Sequence, residues 1–445
     1  MATAMRNKRS ETPYSTSTRS DTGPLWRALL IGSCSLLAAC TGLFQRAMPS
    51  SPASYLRLAM GEELLVGAAE RDITPAVGGY MSGFDLARTS VSVASPLKVR
   101  AMVLGIGDRR FAIIGVDNLG MLRGDVDWIK GGLEGFANGD VFICASHTHS
   151  GPDLIGLWGW YLWTSGRDPE YLKAVGEATA EAVAEAWSNA APARMVWGQE
   201  RIPSTGWFKN PNRSGVFDRR MVVVHARAID DDRPLGTLLH AACHPEVLPR
   251  RNRMLSADFV GSLCDGWREQ GLGQAVFVNG ALGSMVSPQV KDRNMAGVEW
   301  LGGEMLKLGM SALEQAEPLP VDSIEVRRQD VYMPLNSIGL QLGRLTMAIP
   351  SEVYDGHVRT TVGWLRIGGL QAICVPGEME PALAERIRGR LHQPDLLVFG
   401  LCDDELGYLM REQDARDPLF AYERSMSPCL RAGELIEAAL CGPNQ

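Results

Sequence analysis

The chain has 445 residues, 45% apolar and 21% charged, with a net charge of −7 at pH 7. That is ordinary globular composition, with ample length for a core, and the negative balance gives nucleic-acid binding no electrostatic support. Residues 1–24 are polar, Ser/Thr-rich and carry Arg6, Lys8, Arg9 and Arg19. Arg27 precedes an apolar stretch over 28–39, shorter than the roughly 20 residues of a membrane-spanning helix. It ends in Leu37-Ala38-Ala39-Cys40, which looks like a bacterial lipobox with Cys40 as the lipidated first residue of the mature chain. The expected organisation is a lipoprotein signal peptide over 1–40, a tether over 41–64 and one catalytic domain over 65–445. Lipidated Cys40 would hold that domain at the bacterial cell envelope, on the periplasmic side or at the outer membrane. An uncleaved anchor, or a start at Met5, is the alternative.

A Gly-rich turn at 78–83 leads to a hairpin, 98–105 and 111–116, around Gly107-Asp108. The apolar run 141–145 then ends in His147 and His149, spaced i, i+2. On an extended backbone such residues share a face, so both imidazoles should project into one cleft. The loop 156–163 carries Trp158, Trp160, Tyr161 and Trp163, which makes it either a pocket wall or a loop packed on its own core. Apolar residues recur at helical spacing over 168–190 behind Asp168-Pro169, the strongest helix signal in the chain. A strand at 195–198 and a second hairpin, 221–229 and 235–243, follow, the latter running into His244-Pro245. Further helices are expected at 258–270, 300–315, 381–391 and 432–440, and strands at 275–278, 370–375 and 396–400. The 275–278 strand breaks into a Gly-rich loop ending Val286-Ser287-Pro288. No internal repeat is evident. The pattern predicts an α/β fold, mixed β-sheets flanked by helices, in a single catalytic domain.

Nine cysteines are scattered without Cys-x-x-Cys spacing, which argues against a cysteine zinc site. Cys429 and Cys441 could pair in an oxidising envelope. Several predicted strands instead hand over to a polar turn: at His147/His149, His244, Glu378 and the region of Tyr408. Ligands in α/β folds bind outside the carboxyl ends of strands, and imidazoles with a carboxylate suit zinc. Taken singly, His244 is a core or surface histidine and Glu378 a helix-start carboxylate. Their shared position after strands favours one joint site.

These residues resemble the neutral, non-lysosomal ceramidases. The resemblance covers most of 65–428 and is carried by an ordered set of motifs. They are Ser146-His-Thr-His-Ser-Gly-Pro152, Asn212-Arg213-Ser214, His244-Pro245, Ser256-Ala-Asp258, Val286-Ser287-Pro288, Pro376-Gly377-Glu378 and Tyr422-Glu423. It implies a zinc held by His147, His244, Glu378 and Tyr408, with His149 transferring protons. It implies that Arg213 and Tyr422 hold the substrate carbonyl or its oxyanion. The implied reaction is hydrolysis of an N-acyl, sphingoid-type amide lipid to fatty acid and amine by a zinc-activated water. Ser287 is the rival nucleophile, with no histidine beside it in sequence. The sequence departs from the family in the loop Gly283-Ser284-Met285-Val286-Ser287-Pro288, which lacks the usual acid, and in Asp403-Asp404-Glu405, where Glu405 could replace a ligand. The Tyr408 to Tyr422 spacing is longer, and the family's C-terminal β-domain is absent. A zinc hydrolase of another amide or ester, or a non-catalytic ligand-binding lipoprotein of this fold, remains open.

Overall fold

The computed structural model describes residues 45–161, 164–346, 349–350 and 352–442. The expected leader, with Cys40, and Trp163 of the aromatic loop lie outside the described residues. The first main strand, β1 (Ser54–Met60), pairs antiparallel with residues 323–329, so the lead-in expected over 41–64 is already ordered by 54. Its alternation is inverted. Leu56, Leu58 and Met60 are exposed, while Ala59 turns into the core, which hides it from a search for apolar faces.

From β2 onward one arrangement of elements recurs three times. Each unit has three antiparallel strands, a helix, a fourth strand parallel to the third, a long loop and a closing helix. The first comprises β2 (Leu64–Asp72), β3 (Lys98–Ile106), β4 (Arg109–Val116), α1 (Arg123–Gly131), β5 (Val141–Ala145) and α2 (Pro169–Ser188). The second comprises β6 (Ala191–Arg201), β7 (Arg220–Ala228), β8 (Pro234–Ala241), α3 (Asp258–Glu269), β9 (Ala275–Asn279) and α4 (Met295–Glu314). The third opens with β10 (Ser323–Pro334) and the inserted helix α5 (Ile338–Leu345), then β11 (His357–Ile367) and β12 (Leu370–Cys374). It closes with α6 (Pro381–Leu391), β13 (Leu397–Phe399) and α7 (Ala432–Cys441). The sequence shows no internal repeat because the units share topology and differ in loop length and in the polar residues their strands carry.

The first two units join through β2 and β6 into one sheet, ordered β9-β8-β7-β6-β2-β3-β4-β5, and the third makes a second sheet, β1-β10-β11-β12-β13. Alternate side chains sort between layers. Met102, Leu104, Val222 and Val224 face Ile324, Val326 and Leu365 between the sheets. Ala101 and Val103 pack under α1 and α2, and Val223 and Leu239 under α3 and α4. Ile373 and Val375 pack against α6 and α7. Strands covered on both faces become continuous apolar runs, which is why 141–145 and 275–278 stand out in the sequence. The expected helices appear with shifted ends. Asp168 caps α2 by accepting from the Glu170 and Tyr171 amides, with Pro169 in the first turn. Cys429 and Cys441 are separate free thiols.

Candidate metal centre

The fourth strands of the three units meet at their carboxyl ends, and hydrogen bonds close a ring there. Asn279 Nδ2 donates to Ser146 O (2.9 Å), Gly400 N to Asn279 O (2.9 Å) and Ala145 N to Leu401 O (3.1 Å). Ala145, Leu282 and Leu401 pack together beside it. The residues just beyond this ring carry the chemistry.

β5 stops at Ala145, and His147 adopts a left-handed backbone (φ 72°), a strained state for a non-glycine residue. The i, i+2 argument from an extended strand therefore fails in its detail. A turn held by Asn118 O, which accepts from both His147 N (2.8 Å) and Thr148 N (3.1 Å), brings the imidazoles together instead. The rings of His147 and His149 lie 5.0 Å apart, and His244 lies 4.9 Å from the first and 5.6 Å from the second. One ligand atom from each of the three falls within 4.8 Å of the others, so the cluster could hold a metal ion. Gly83 permits the packing of His149: at φ +94° it abuts the ring, and a Cβ there would come within 2.6 Å of it.

Two of the imidazoles are oriented in the same way. His147 Nδ1 bonds Leu119 O (2.7 Å) and His244 Nδ1 bonds Val286 O (2.9 Å). A carbonyl can only accept, so both rings carry a proton on Nδ1 and turn Nε2 toward the centre, the usual arrangement of metal-binding histidines. Glu378 faces those nitrogens, with one carboxylate oxygen 2.9 Å from His244 Nε2 and the other 3.6 Å from His147 Nε2. Glu378–Met379 pairs in parallel with Tyr408–Leu409, which sets Tyr408 beside the carboxylate. The Tyr408 hydroxyl donates to Met285 Sδ (3.1 Å).

Burial, reinforced by His244 and opposed by Glu378, takes His147 down to about 4. Burial, with the neighbouring imidazoles and Arg88, takes His149 well below the ordinary histidine range. For His244 burial also pulls downward, but the hydrogen bond and charge of Glu378 override it and raise the pKa. Burial would raise Glu378, yet His147 and His244 hold it below its ordinary value. Two imidazoles that aim Nε2 at one carboxylate form a donor set that fits a divalent cation, which would take the place of the proton that His244 shares with Glu378. Neither ring nitrogen of His149 makes a hydrogen bond of full geometry, although the Gly83 backbone weakly favours its protonated form. Glu246 Oε2 stands 3.9 Å from its Nδ1.

His147, His149 and Glu378 line an open cleft, together with Tyr408, Glu405 and, at the rim, Tyr422. Burial and the adjacent Glu378 push the Glu405 carboxyl well above its ordinary value. The walls are apolar, with Leu119, Leu122, Ile155, Leu157, Trp158 and Ile349 among them. The aromatic loop is thus a pocket wall through Leu157 and Trp158, while Trp160 and Tyr161 face outward.

Three expected site residues are not in the lining: His244, which stands behind Glu378, and Arg213 and Ser287. The Arg213 guanidinium pairs with Asp414 and lies 5.5 Å over the Phe420 ring. Its loop adjoins the rim through Asn212, which donates to Glu423. Ser287 Oγ donates to Met285 O (2.8 Å), with no histidine in reach of a hydrogen bond. Its loop serves the site through Val286 O, which holds His244. Sequence reasoning missed Asn279 and Glu246, and gave Asp258, within Ser256-Ala-Asp258, no role. The Asp258 carboxylate accepts from the Val247, Leu248 and Phe259 amides and so braces the segment after His244. The signal for Asn279 was a polar residue at the end of an apolar run.

No family model matches the sequence, and no curated protein matches it. Solved structures do. Neutral ceramidase from Pseudomonas aeruginosa superposes with a TM-score of 0.68 at 15% identity, over 85% of this chain and 74% of that one. A ceramidase complexed with C2 gives a TM-score of 0.69 at 14% identity, over 85% and 75%. The fold is that of neutral ceramidase. Within this ceramidase fold, the buried histidine cluster lies at the carboxyl ends of strands, as expected for a ligand site in an α/β protein.

Proposed function

We propose that the protein is a zinc-dependent amidohydrolase that cleaves an N-acyl amide lipid of the sphingoid type to a fatty acid and an amine. The observation that carries this reading is the cluster of His147, His149 and Glu378 lining an apolar cleft, with His244 bonded to Glu378 behind them. The likeness in fold to proteins named ceramidases supports the same reaction class. His147 and His244 through Nε2, Glu378 through its carboxylate and Tyr408 through its hydroxyl are the residues that would hold zinc. Zinc bound there supplies a polarised carbonyl and a water with a pKa near 7, both needed because amides are poor electrophiles.

The chain's own residues do the rest. The apolar walls bind the acyl chain, worth about 0.8 kcal/mol per buried methylene, and exclude bulk water from the reacting amide. His149, neutral at pH 7 and without a strong partner, takes a proton at a ring nitrogen and returns it to the departing amine nitrogen. Glu246, close to Nδ1, steadies the imidazolium formed in between. The Tyr422 hydroxyl at the rim is the donor available to the developing oxyanion, a contact worth about 3 kcal/mol in comparable sites. Arg213, held by Asp414, is assigned no step. Lipidation at Cys40 would keep the cleft near lipid substrates; mass spectrometry showing an unmodified Cys40 within a longer chain would remove that part.

Metal content and a substrate panel test the reading. N-acylsphingosines, N-acyl amino acids and simple esters are assayed with the zinc-loaded protein. Amide cleavage that disappears with the metal is expected. A folded protein that takes up no zinc, or one that turns over esters but no amide, overturns it.

A further inference from the structure

The cleft has one wall that the reaction above does not use. It is built by α5, inserted between β10 and β11 of the third unit. Ser337 caps the helix, accepting from Leu340 N, and its hydroxyl donates to Ser425 O (3.1 Å). Leu340 and Arg344, four residues apart and therefore on one face, both line the cleft. Gly343 packs closely on Ile349 and near Leu157, both themselves wall residues.

Arg344 is unlike the other buried or half-buried arginines. Arg88 donates to Ser82 and His149 carbonyls, Arg100 pairs with Asp117, Arg328 with Asp403, and Arg411 with Glu380. Among the described residues no carboxylate or carbonyl partners the Arg344 side chain. Burial lowers its pKa, and no acidic neighbour offsets that, not even Glu378 or Glu405 across the same cleft. A cation held without a partner on an apolar wall is costly. The guanidinium fork is shaped for the paired oxygens of a carboxylate or phosphate.

Resting on the amidohydrolase reading, we propose that Arg344 is a specificity-determining residue that binds an anionic group of the substrate. The preferred substrates are then N-acyl amides that carry a carboxylate or phosphate, in preference to neutral ones. The walls around Leu157 and Ile349 take the chain, the histidine cluster faces the amide, and Arg344 takes the charge.

Three amides with one acyl chain test this: N-lauroylglycine, O-phospho-N-lauroylethanolamine and neutral N-lauroylethanolamine. In the zinc-loaded wild type, kcat/KM for at least one anionic member should exceed that for the neutral one tenfold or more. Arg344→Gln should reduce that ratio at least tenfold, mainly through KM, and Arg344→Lys should keep most of it. The member preferred by the wild type separates a carboxylate ligand from a phosphate. A neutral substrate preferred by the wild type, or an unchanged ratio in folded Arg344→Gln, overturns the proposal. If none of the three is cleaved, the hydrolase reading fails, and calorimetric binding of the same compounds decides on Arg344 alone. Charge-selective binding lost in Arg344→Gln sustains its role; equal binding of charged and neutral compounds, or no binding, removes it.

Discussion

Replacing Asn279 by alanine tests how the fold builds the centre. Asn279 ends β9 and is fully buried. Its Nδ2 donates to Ser146 O and Cys243 O, both at 2.9 Å, and its Oδ1 accepts from Cys243 N at 3.1 Å. Ser146 directly precedes His147, and Cys243 directly precedes His244, so one amide ties together the two backbones that aim the imidazoles. Oδ1 also accepts from Gly280 N at 3.1 Å, so alanine removes four hydrogen bonds and leaves buried backbone groups without those partners. At about 1 kcal/mol each, the loss is about 4 kcal/mol of stability. Equilibrium unfolding in urea measures it. Chelator competition on the same protein should show zinc bound at least tenfold more weakly, as happens when groups orienting metal ligands are removed. Asn279→Asp should be worse, since a carboxylate oxygen would replace the donor facing two carbonyls. A loss below 1 kcal/mol, or unaltered zinc affinity in the alanine variant, would show that the histidines are placed by other means.

His147→Ala and His244→Ala should each fold yet lose bound zinc and amidase activity, read by elemental analysis and product release; either variant retaining both removes that residue from the ligand set. Ser287→Ala should keep most of the activity, because the Ser287 hydroxyl is spent on Met285 O outside the cleft lining; a hundredfold fall would restore the serine route. Asp218 supplies the pH dependence. Burial alone would raise its pKa, but the hydrogen bond from Arg220 and the charge of Arg388 hold it well below the carboxylate range. The folded pKa is thus below the unfolded one of about 3.9, so its stabilisation is complete above that pH and lost as pH falls toward the folded value. Asp218→Asn should cost about 3 kcal/mol at pH 7 and flatten the acid limb of a stability–pH curve below about pH 4; an unchanged limb would refute the assignment.

Much of the fold was legible where strands are covered on both faces. The runs at 141–145 and 275–278 predict β5 and β9 because nothing polar interrupts them. The stretch 316–369 yielded no assignment, although it holds β10, α5 and β11. The reason is visible in β10. Arg328 and Asp330 stand buried where an apolar residue would mark the core face, Arg328 paired with Asp403 and Asp330 with Arg123 and Arg359. Such charge pairs are satisfied only by residues far away in the chain, so no local pattern reveals them. Arg344 was hidden with the rest of that stretch. For the site, His147, His149, His244 and Glu378 could be found because each follows an apolar run. What was not legible is the conformation that joins them: the left-handed turn at His147 depends on Asn118, and the His244 ring on Val286.

The threefold repetition explains why those contributions come from distant parts of the chain. Within each unit the third and fourth strands run parallel, so their carboxyl ends emerge on one side. The first unit uses the end of its fourth strand for His147 and His149, and the second uses the end of its third for His244. The third uses both, for Glu378 and Tyr408. The ring through Ser146, Asn279, Gly400, Leu401 and Ala145 holds those ends together with backbone bonds at Gly400 and Ala145 and one side-chain amide, that of Asn279. The side chains just beyond it are thereby free to differ among units. No unit carries the whole donor set, so the centre can form only when all three have docked.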